Sequence, residues 1–167
     1  MVKTTHLVTT FFMDILPRVY IGSDHGGFDQ KERIIQSLKD EGYSVTDCGT
    51  YSSVSTDYPD FALAVGNAVR DNAGSFGVLL CRSGEGMEMA ANKVKKIRAA
   101  LVWNVEVAIE TRHDNDANIL VIPSDFVTID VATSITRAFI CTAFSQETRH
   151  IHRIEKLHAI EHTTYES

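Results

Sequence analysis

The sequence has 167 residues, 44% of them hydrophobic, and a formal net charge of −6 at pH 7. A chain of this length without an internal repeat fits a single globular domain with a sizeable core. Its acidic balance argues against a nucleic-acid-binding protein, because neutralising phosphates takes clustered lysines and arginines on a basic face.

The cysteines and the N-terminal residues indicate the redox environment and the extent of the domain. Cys48, Cys81 and Cys141 form no Cys-x-x-Cys pair, and any disulfide scheme would leave one thiol over. We therefore expect a reduced, cytoplasmic protein without a structural zinc site. The apolar character near the N-terminus is interrupted by polar residues and is too short to cross a membrane. We interpret residues 1–16 as a flexible extension and residues 17–167 as one domain.

Apolar runs alternate with helical patterns along the rest of the chain. The runs predict five strands, and apolar residues at helical spacing predict a helix after each strand. Strands alternating with helices predict an α/β fold, here a three-layer α/β/α sandwich around a Rossmann-like five-stranded parallel sheet. The predicted strands cover residues 19–22, 43–47, 74–80, 98–103 and 117–122, and the last two predicted helices cover 128–144 and 148–161.

The fold class predicts where a ligand would bind. In such sheets ligands lie beyond the carboxyl ends of the strands, near the point where the strand order reverses. We assign residues 23–27, 81–86 and 112–118 to the ends of the first, third and fifth strands. The sequence therefore predicts a site where these three polar segments meet.

The segment Cys81-Arg-Ser-Gly-Glu-Gly86 joins a buried strand to a helix. Its backbone N–H groups lie at a helix N-terminus and form an anion-binding cradle. A thiol beside these dipoles can have its pKa lowered, although a free cysteine at a strand end is commonly a small core residue. We expect Cys81 to remove a proton next to a carbonyl, while the N–H groups of Ser83 to Gly86 stabilise the enediolate oxygen.

Two further groups of side chains belong to the first and third segments. An aspartate and a histidine in sequence, Asp24 and His25, can shuttle protons on a sugar or bind its phosphate. Asp24 could also cap the following helix. Glu85 and Glu88 are candidates for acid or base chemistry, although carboxylates in a first helical turn commonly just complement the helix dipole.

Two arginines share one face of the last predicted helix. Arg149 and Arg153 are spaced i,i+4, so both guanidinium groups could hold a phosphate in bidentate fashion. Their spacing is equally compatible with an exposed helix face on which they pair with Glu147 and Glu155.

Five motifs in order resemble the ribose-5-phosphate isomerase B family, which includes the galactose-6-phosphate isomerase subunits. The resemblance implies an aldose–ketose isomerase that uses no metal or cofactor and works through a cis-enediolate. It also implies a sugar-phosphate substrate bound in a cleft that two subunits of a homodimer or homotetramer share. The motifs are Gly-Ser-Asp-His-Gly-Gly at 22–27, Thr-Asp-Tyr-Pro at 56–59, Leu-Cys-Arg-Ser-Gly-Glu-Gly at 80–86, Asn-Asp-Ala-Asn at 115–118 and Arg-His-x-x-Arg at 149–153.

The resemblance also implies roles for individual residues. Cys81 matches the proton-transferring cysteine, with Ser83 the hydroxyl residue beside it, and Asp24 matches the aspartate implicated in ring opening. The remaining matches are His25, Arg149 and Arg153 with the phosphate, Gly84, Glu85 and Gly86 in the oxyanion turn, and Tyr58 and Asn115 in motifs that line the substrate.

Two positions depart from the family pattern. Asp114 stands where many members carry the histidine of ring opening, and His113 lies one place earlier. Because one helical residue rotates a side chain by about 100°, we expect Asp114 rather than His113 to shuttle that proton. Asp125 stands where several members place a phosphate-binding arginine, a charge reversal that weakens or moves a phosphate site.

We therefore expect an isomerase that interconverts ribose 5-phosphate and ribulose 5-phosphate. The alternatives are an isomerase for a hexose 6-phosphate such as galactose 6-phosphate or for another sugar phosphate, and a non-catalytic sugar-phosphate-binding protein. A dinucleotide-binding domain is disfavoured, because no Gly-x-Gly-x-x-Gly follows the first strand. We expect neither nucleic acid nor membrane as a partner.

Overall fold

The computed structural model describes residues 16–165, with the side chains of 164 and 165 left out. The predicted N-terminal extension lies outside the described residues apart from Leu16. Within 16–165, no helix has both the length and the apolar character needed to cross a membrane.

The predicted architecture is confirmed: five parallel strands form one sheet between two layers of helices. The sheet has the order β2-β1-β3-β5-β4. Its strands are β1 (Val19–Ser23), β2 (Val45–Asp47), β3 (Phe76–Cys81), β4 (Ala99–Leu101) and β5 (Ile119–Pro123). The helices are α1 (Phe28–Asp40), α2 (Tyr58–Asp71), α3 (Glu85–Ala91), α4 (Val105–Asn115), α5 (Ile129–Cys141) and α6 (Thr148–Tyr165).

Both faces of the sheet are covered, which is why its strands read as continuous apolar runs. Along β3, Val78 and Leu80 pack in the cluster that holds the apolar residues of α1, α4 and α5. Leu79 and Cys81 belong instead to the cluster under α2 and α3. The alternation along a strand thus places the Cys81 side chain on the α2–α3 side of the sheet.

The strand order opens a crevice between β1 and β3. These strands are neighbours, but α1 follows β1 on one face of the sheet and α3 follows β3 on the other. Their loops therefore diverge at the carboxyl ends of the strands, where this fold class binds ligands. The two loops stay in contact there, since the Asp24 N–H donates to the Leu80 carbonyl at 3.2 Å.

One assignment made from the sequence is wrong. Residues 112–118 precede β5 rather than follow it, and Gly77 at the amino end of β3 donates its N–H to the Asn118 carbonyl at 2.9 Å. The segment lies at the amino edge of the sheet because α4 runs back antiparallel to the strands. The segment that follows β5 at the carboxyl edge is residues 124–128.

Candidate active site

Two buried polar side chains lie side by side at the carboxyl edge. Cys81 is the last residue of β3 and is 5% exposed, and Asp24 directly follows β1 and is 7% exposed. The N–H of Gly84 donates to the Cys81 Sγ at 3.2 Å. Gly84 has a φ of 81°, in the left-handed region that favours glycine, and this turn brings its N–H back to the sulfur.

The resting state of the thiol differs from the one expected. Burial raises the pKa of Cys81 above its ordinary value near 9, and the nearby Asp24 carboxylate acts in the same direction. The N–H groups of Met87, Gly84 and Ser83 lower the pKa but do not outweigh the loss of solvent. The expectation of a lowered pKa is therefore wrong for the unliganded chain, in which Cys81 is protonated at neutral pH.

The turn after Cys81 is covered by an aromatic ring. Tyr58 is the first residue of α2, and a Cβ at Gly86 would lie 2.8 Å from its Cζ. The missing side chain at Gly86 lets the ring close over the backbone of the turn. Ser83 is half-buried and Glu85 is exposed in the same turn. The predicted residues Cys81, Ser83, Gly84, Glu85, Gly86 and Tyr58 thus form one surface, together with Asp24 and His25.

The β1–α1 loop is held by its own polar groups. Asp24 Oδ1 accepts the N–H of Gly26 at 2.8 Å, and the N-cap of α1 is Gly27, without a side-chain cap. Asp24 therefore does not cap α1. His25 Nδ1 accepts the N–H of Thr56 at 3.3 Å, so the proton of the neutral ring is on Nε2.

Two side chains at this edge, Glu88 and Asp125, make contacts that the sequence did not predict. Glu88 Oε1 accepts the N–H of Leu101 at 3.0 Å, so this carboxylate holds β4 rather than facing a ligand. Asp125 is paired with Arg82, whose Nε donates to Oδ2 at 2.9 Å. Arg82 is not among the residues predicted from the sequence, although it is the arginine that directly follows the third strand.

A second polar cluster lies where α4 ends and α6 begins. His113 Nδ1 lies 2.7 Å from Asp114 Oδ1, and His150 Nδ1 lies 3.6 Å from the same oxygen. His150 is fully buried and its Nδ1 also lies 2.8 Å from Ser145 Oγ. Arg149 is exposed and donates to a neighbouring carboxylate.

The charges of this second cluster favour an ionised Asp114. The hydrogen bond from His113 lowers the pKa of Asp114, and the charges of His150 and Arg149 add to the effect. Arg149 donates its Nε to Glu147 Oε2 at 2.7 Å, as the exposed-face interpretation of α6 anticipated. An ionised Asp114 accepts hydrogen bonds but has no proton of its own to give.

Three residues of this cluster, His113, Asp114 and His150, have the spacing of metal ligands. One ligand atom each from His113, Asp114 and His150 lies within 4.8 Å of the others. Two imidazoles and a carboxylate suit a first-row transition metal such as zinc. The Oδ1 atom of Asp114 in this group already accepts the hydrogen bond from His113.

The two clusters lie at opposite ends of the sheet. Cys81 ends β3, whereas Gly77 near the start of β3 bonds to Asn118, just beyond α4. Five residue steps of about 3.3 Å separate the ends of β3, so the clusters are on the order of 16 Å apart along the strand. A single chain thus does not bring the predicted residues Asp114, Asn115, Arg149 and Arg153 to Cys81.

The chain is similar to known sugar-phosphate isomerases along most of its length. A family model described as Ribose/Galactose Isomerase matches residues 19–157. Ribose-5-phosphate isomerase B of Mycobacterium leprae is 40% identical over 147 residues, which are 87% of this chain and 91% of that protein. A putative sugar phosphate isomerase of Rickettsia bellii is 40% identical over 139 residues, 83% of this chain and 96% of that protein.

Solved structures give the same result. Ribose-5-phosphate isomerase B of Clostridium thermocellum superposes with a TM-score of 0.86 at 41% identity, covering 88% of this chain and 99% of that one. The Mycoplasma genitalium enzyme with bound ribulose-5-phosphate superposes with a TM-score of 0.82 at 38% identity, covering 86% and 95%. Because the family model matches residues 19–157 and the relatives are about 40% identical over most of the chain, the chain belongs to the ribose/galactose isomerase family.

Proposed function

We propose that this protein interconverts ribose 5-phosphate and ribulose 5-phosphate. The observation that carries the proposal is the Cys81 thiol, held by the Gly84 N–H at the mouth of a backbone cradle and beside Asp24. A protein that only binds a sugar phosphate has no use for a proton-transferring group at this position. The names of the related proteins, ribose-5-phosphate isomerase B, support the same substrate.

The first step is the opening of the sugar ring. The C1–O4 bond breaks, O1 gives up its proton to a base, and O4 receives a proton. Asp24 is the group of this chain placed to take the O1 proton, since it is buried next to Cys81. The product is the open-chain aldehyde, whose C2–H is acidic because it adjoins a carbonyl.

The second step is the proton transfer itself. The Cys81 thiolate takes the proton from C2, and the electron pair moves to O1 to give a cis-enediolate. The N–H groups of the turn from Gly84 to Gly86 stabilise the negative oxygen. The thiol then returns the proton to C1 while the proton of O2 passes to O1, which leaves the C2 ketone and the C1 hydroxyl. The proton that burial keeps on Cys81 must first leave the thiol, so a substrate-bound arrangement has to favour the thiolate.

We propose that a second copy of the chain completes the site. The proposal is supported by the distance between the two clusters, because Arg149 and Arg153 of one subunit can serve a phosphate only in another subunit's crevice. A groove of about 620 Å³ lies beside the edge strand β4, away from Cys81. It exposes the apolar side chains of Leu157 and Ile160 on α6, a surface suited to a homodimer contact.

The proposed activity can be tested by NMR in deuterated water with a panel of pentose and hexose phosphates. We expect ribose 5-phosphate to be converted to ribulose 5-phosphate, with deuterium entering C1 of the ketose and, on reversal, C2 of the aldose. Exchange confined to galactose 6-phosphate would instead identify a hexose phosphate isomerase. Binding of ribose 5-phosphate with no exchange would identify a non-catalytic protein.

A further inference from the structure

The carboxyl edge of the sheet offers a ligand one accessible basic side chain. Among the described residues, the loops that follow the strands and the first turns of the helices after them contain two lysines or arginines, Lys31 and Arg82. Lys31 is fully buried and its ammonium group is committed to Asp47 at 2.5 Å. Arg82 is the opposite case, because its side chain is 70% exposed.

The surroundings of Arg82 are acidic. Asp24, Asp57 and Glu85 lie in the same loops and first turns, and Asp125 follows β5. A doubly charged phosphate that entered this edge would meet repulsion from these carboxylates unless a cation were present. Of the two lysines and arginines at this edge, Arg82 is the one whose side chain is placed to supply that cation.

Asp125 fixes the direction of the Arg82 side chain. Asp125 Oδ2 accepts the Arg82 Nε–H at 2.9 Å, and the Asp125 N–H donates to the Arg82 carbonyl, also at 2.9 Å. The N–H of Ser124 donates to the Cys81 carbonyl at 2.9 Å, so the loop after β5 is tied to the loop after β3. The contact occupies Nε and leaves both Nη groups of Arg82 without a hydrogen-bond partner among residues 16–165.

The stem of Arg82 crosses the loop that carries His25. A Cβ at Gly26 would overlap the Arg82 Cγ, so the two residues are in direct contact. Two hydroxyl oxygens near this point, Thr56 Oγ1 and Ser124 Oγ, are buried and have no hydrogen-bond partner. Thr56 donates its N–H to His25, and Ser124 adjoins Asp125. Arg82, His25 and these two hydroxyls thus belong to loops that contact one another at the carboxyl edge, beside Cys81.

We propose that Arg82, oriented by Asp125, binds the phosphate group of the sugar phosphate, an inference that rests on the proposed function. The two free Nη groups match two phosphate oxygens in the bidentate geometry that arginine favours. Asp125 is a positioning residue that aims the guanidinium group. Several members of the family resembled here place an arginine at the position of Asp125. In this chain position 82 supplies the basic charge instead.

The test compares binding of two polyols that cannot isomerise, D-ribitol 5-phosphate and ribitol, by titration calorimetry. We expect Arg82→Gln to weaken binding of D-ribitol 5-phosphate by about 10- to 100-fold, the contribution of a charged hydrogen bond. Binding of ribitol stays unchanged, and Arg82→Lys weakens binding of D-ribitol 5-phosphate less than Arg82→Gln does, because lysine keeps the charge. The matched control is Arg70→Gln, which removes an arginine that also pairs with an aspartate, Asp71, on the outer end of α2.

Three results would overturn the assignment: equal losses for the two polyols, no loss in Arg82→Gln, or a loss of the same size in Arg70→Gln. In steady-state kinetics, Arg82→Gln should raise KM with kcat changed less than about threefold, as expected when ground-state and transition-state binding weaken equally. An unchanged KM in an active Arg82→Gln enzyme would refute the proposed role of Arg82 but not the proposed function. A wild type that binds D-ribitol 5-phosphate through Arg82 but isomerises no sugar would refute only the proposed function.

Discussion

His113 and Asp114, neighbours at the end of α4, form one hydrogen-bonded unit with 2.7 Å between Nδ1 and Oδ1. The bond lowers the pKa of Asp114, which is therefore ionised and accepts the Nδ1 proton of His113. With Nδ1 engaged by Asp114, the imidazole keeps Nε2 as the nitrogen that can exchange a proton with a ligand. We propose that His113, oriented by Asp114, rather than Asp114 alone supplies the O4 proton of ring opening in the crevice of the partner subunit, where Asp24 takes the O1 proton.

A role in ring opening can be tested by comparing the turnover of a substrate that forms a ring with that of a substrate that cannot. Ribose 5-phosphate closes into a ring, whereas D-erythrose 4-phosphate has its O4 phosphorylated and remains open. We expect His113→Ala and Asp114→Asn each to slow turnover of ribose 5-phosphate by about 10²-fold, the lower end for loss of an acid–base group. Turnover of D-erythrose 4-phosphate should change by less than about threefold, and the double variant should be no slower than the single ones, because the residues act as a unit.

The control for this pair is His152→Ala, which removes an exposed histidine of α6 and should leave both rates unchanged. Equal losses on the two substrates would show that the pair serves structure or binding instead. A loss confined to Asp114→Asn would restore the carboxylate as the shuttle.

Replacing the thiol tests the central proton transfer. Cys81→Ala should lower kcat for ribose 5-phosphate by about 10²- to 10⁴-fold, the usual contribution of a positioned base. Binding of D-ribitol 5-phosphate should stay within about twofold of wild type, and the far-UV circular dichroism should be unchanged. Cys48→Ala is the matched control, since Cys48 follows the edge strand β2, which β1 separates from β3. Retention of most activity in folded Cys81→Ala would remove Cys81 from the mechanism.

The raised pKa of Cys81 sets the direction of the pH dependence. Below the pKa the fraction of thiolate grows tenfold per pH unit, so kcat/KM should still be rising at pH 8. It should level off only above pH 9, the ordinary pKa of a cysteine thiol. Iodoacetamide, which reacts with thiolates, should label the exposed Cys141 before the buried Cys81 in the free protein. Mass spectrometry of the tryptic peptides gives the order, and faster labelling of Cys81 would contradict a protonated, buried thiol.

The sequence was sufficient to predict the strand-and-helix order and the carboxyl-edge loops of Asp24 and Cys81. Buried strands and helix N-termini leave local signals, and both loops directly follow strong apolar runs. The edge on which residues 112–118 lie was predicted wrongly, because the segment was assigned to the carboxyl end of the fifth strand. Both the predicted strand (117–122) and β5 (Ile119–Pro123) follow most of this segment, and a segment that precedes a parallel strand lies at its amino end.

Properties set by long-range packing could not be predicted. Arg82 and Asp125 are 43 residues apart and meet because β3 and β5 are neighbours in the sheet. The pKa of Cys81 depends on burial beneath α2 and α3, which the local motif does not encode, so the helix dipole alone suggested the wrong direction. Both features follow from strand order rather than from the residues of one segment.

The division of the proposed site between subunits predicts complementation. Cys81→Ala and Arg153→Ala should each give a weakly active homodimer. In a heterodimer of these two variants, isolated through two different affinity tags, one crevice combines an intact Cys81 with the partner's intact Arg153. We expect about half of the wild-type kcat for that heterodimer at saturating ribose 5-phosphate, because one of its two sites is whole.

The matched control pairs a Cys81→Ala/Arg153→Ala chain with a wild-type chain. If Cys81 and Arg153 act across subunits, each crevice of this heterodimer contains one defect and its activity should fall to the level of the single-variant homodimers. If the two residues act within one chain, the results are reversed: this control keeps half of the activity, and the first heterodimer stays as weak as its parents. Because the two heterodimers carry the same substitutions, differences in folding or net charge cannot account for the contrast, and it reports only on which chains supply Cys81 and Arg153.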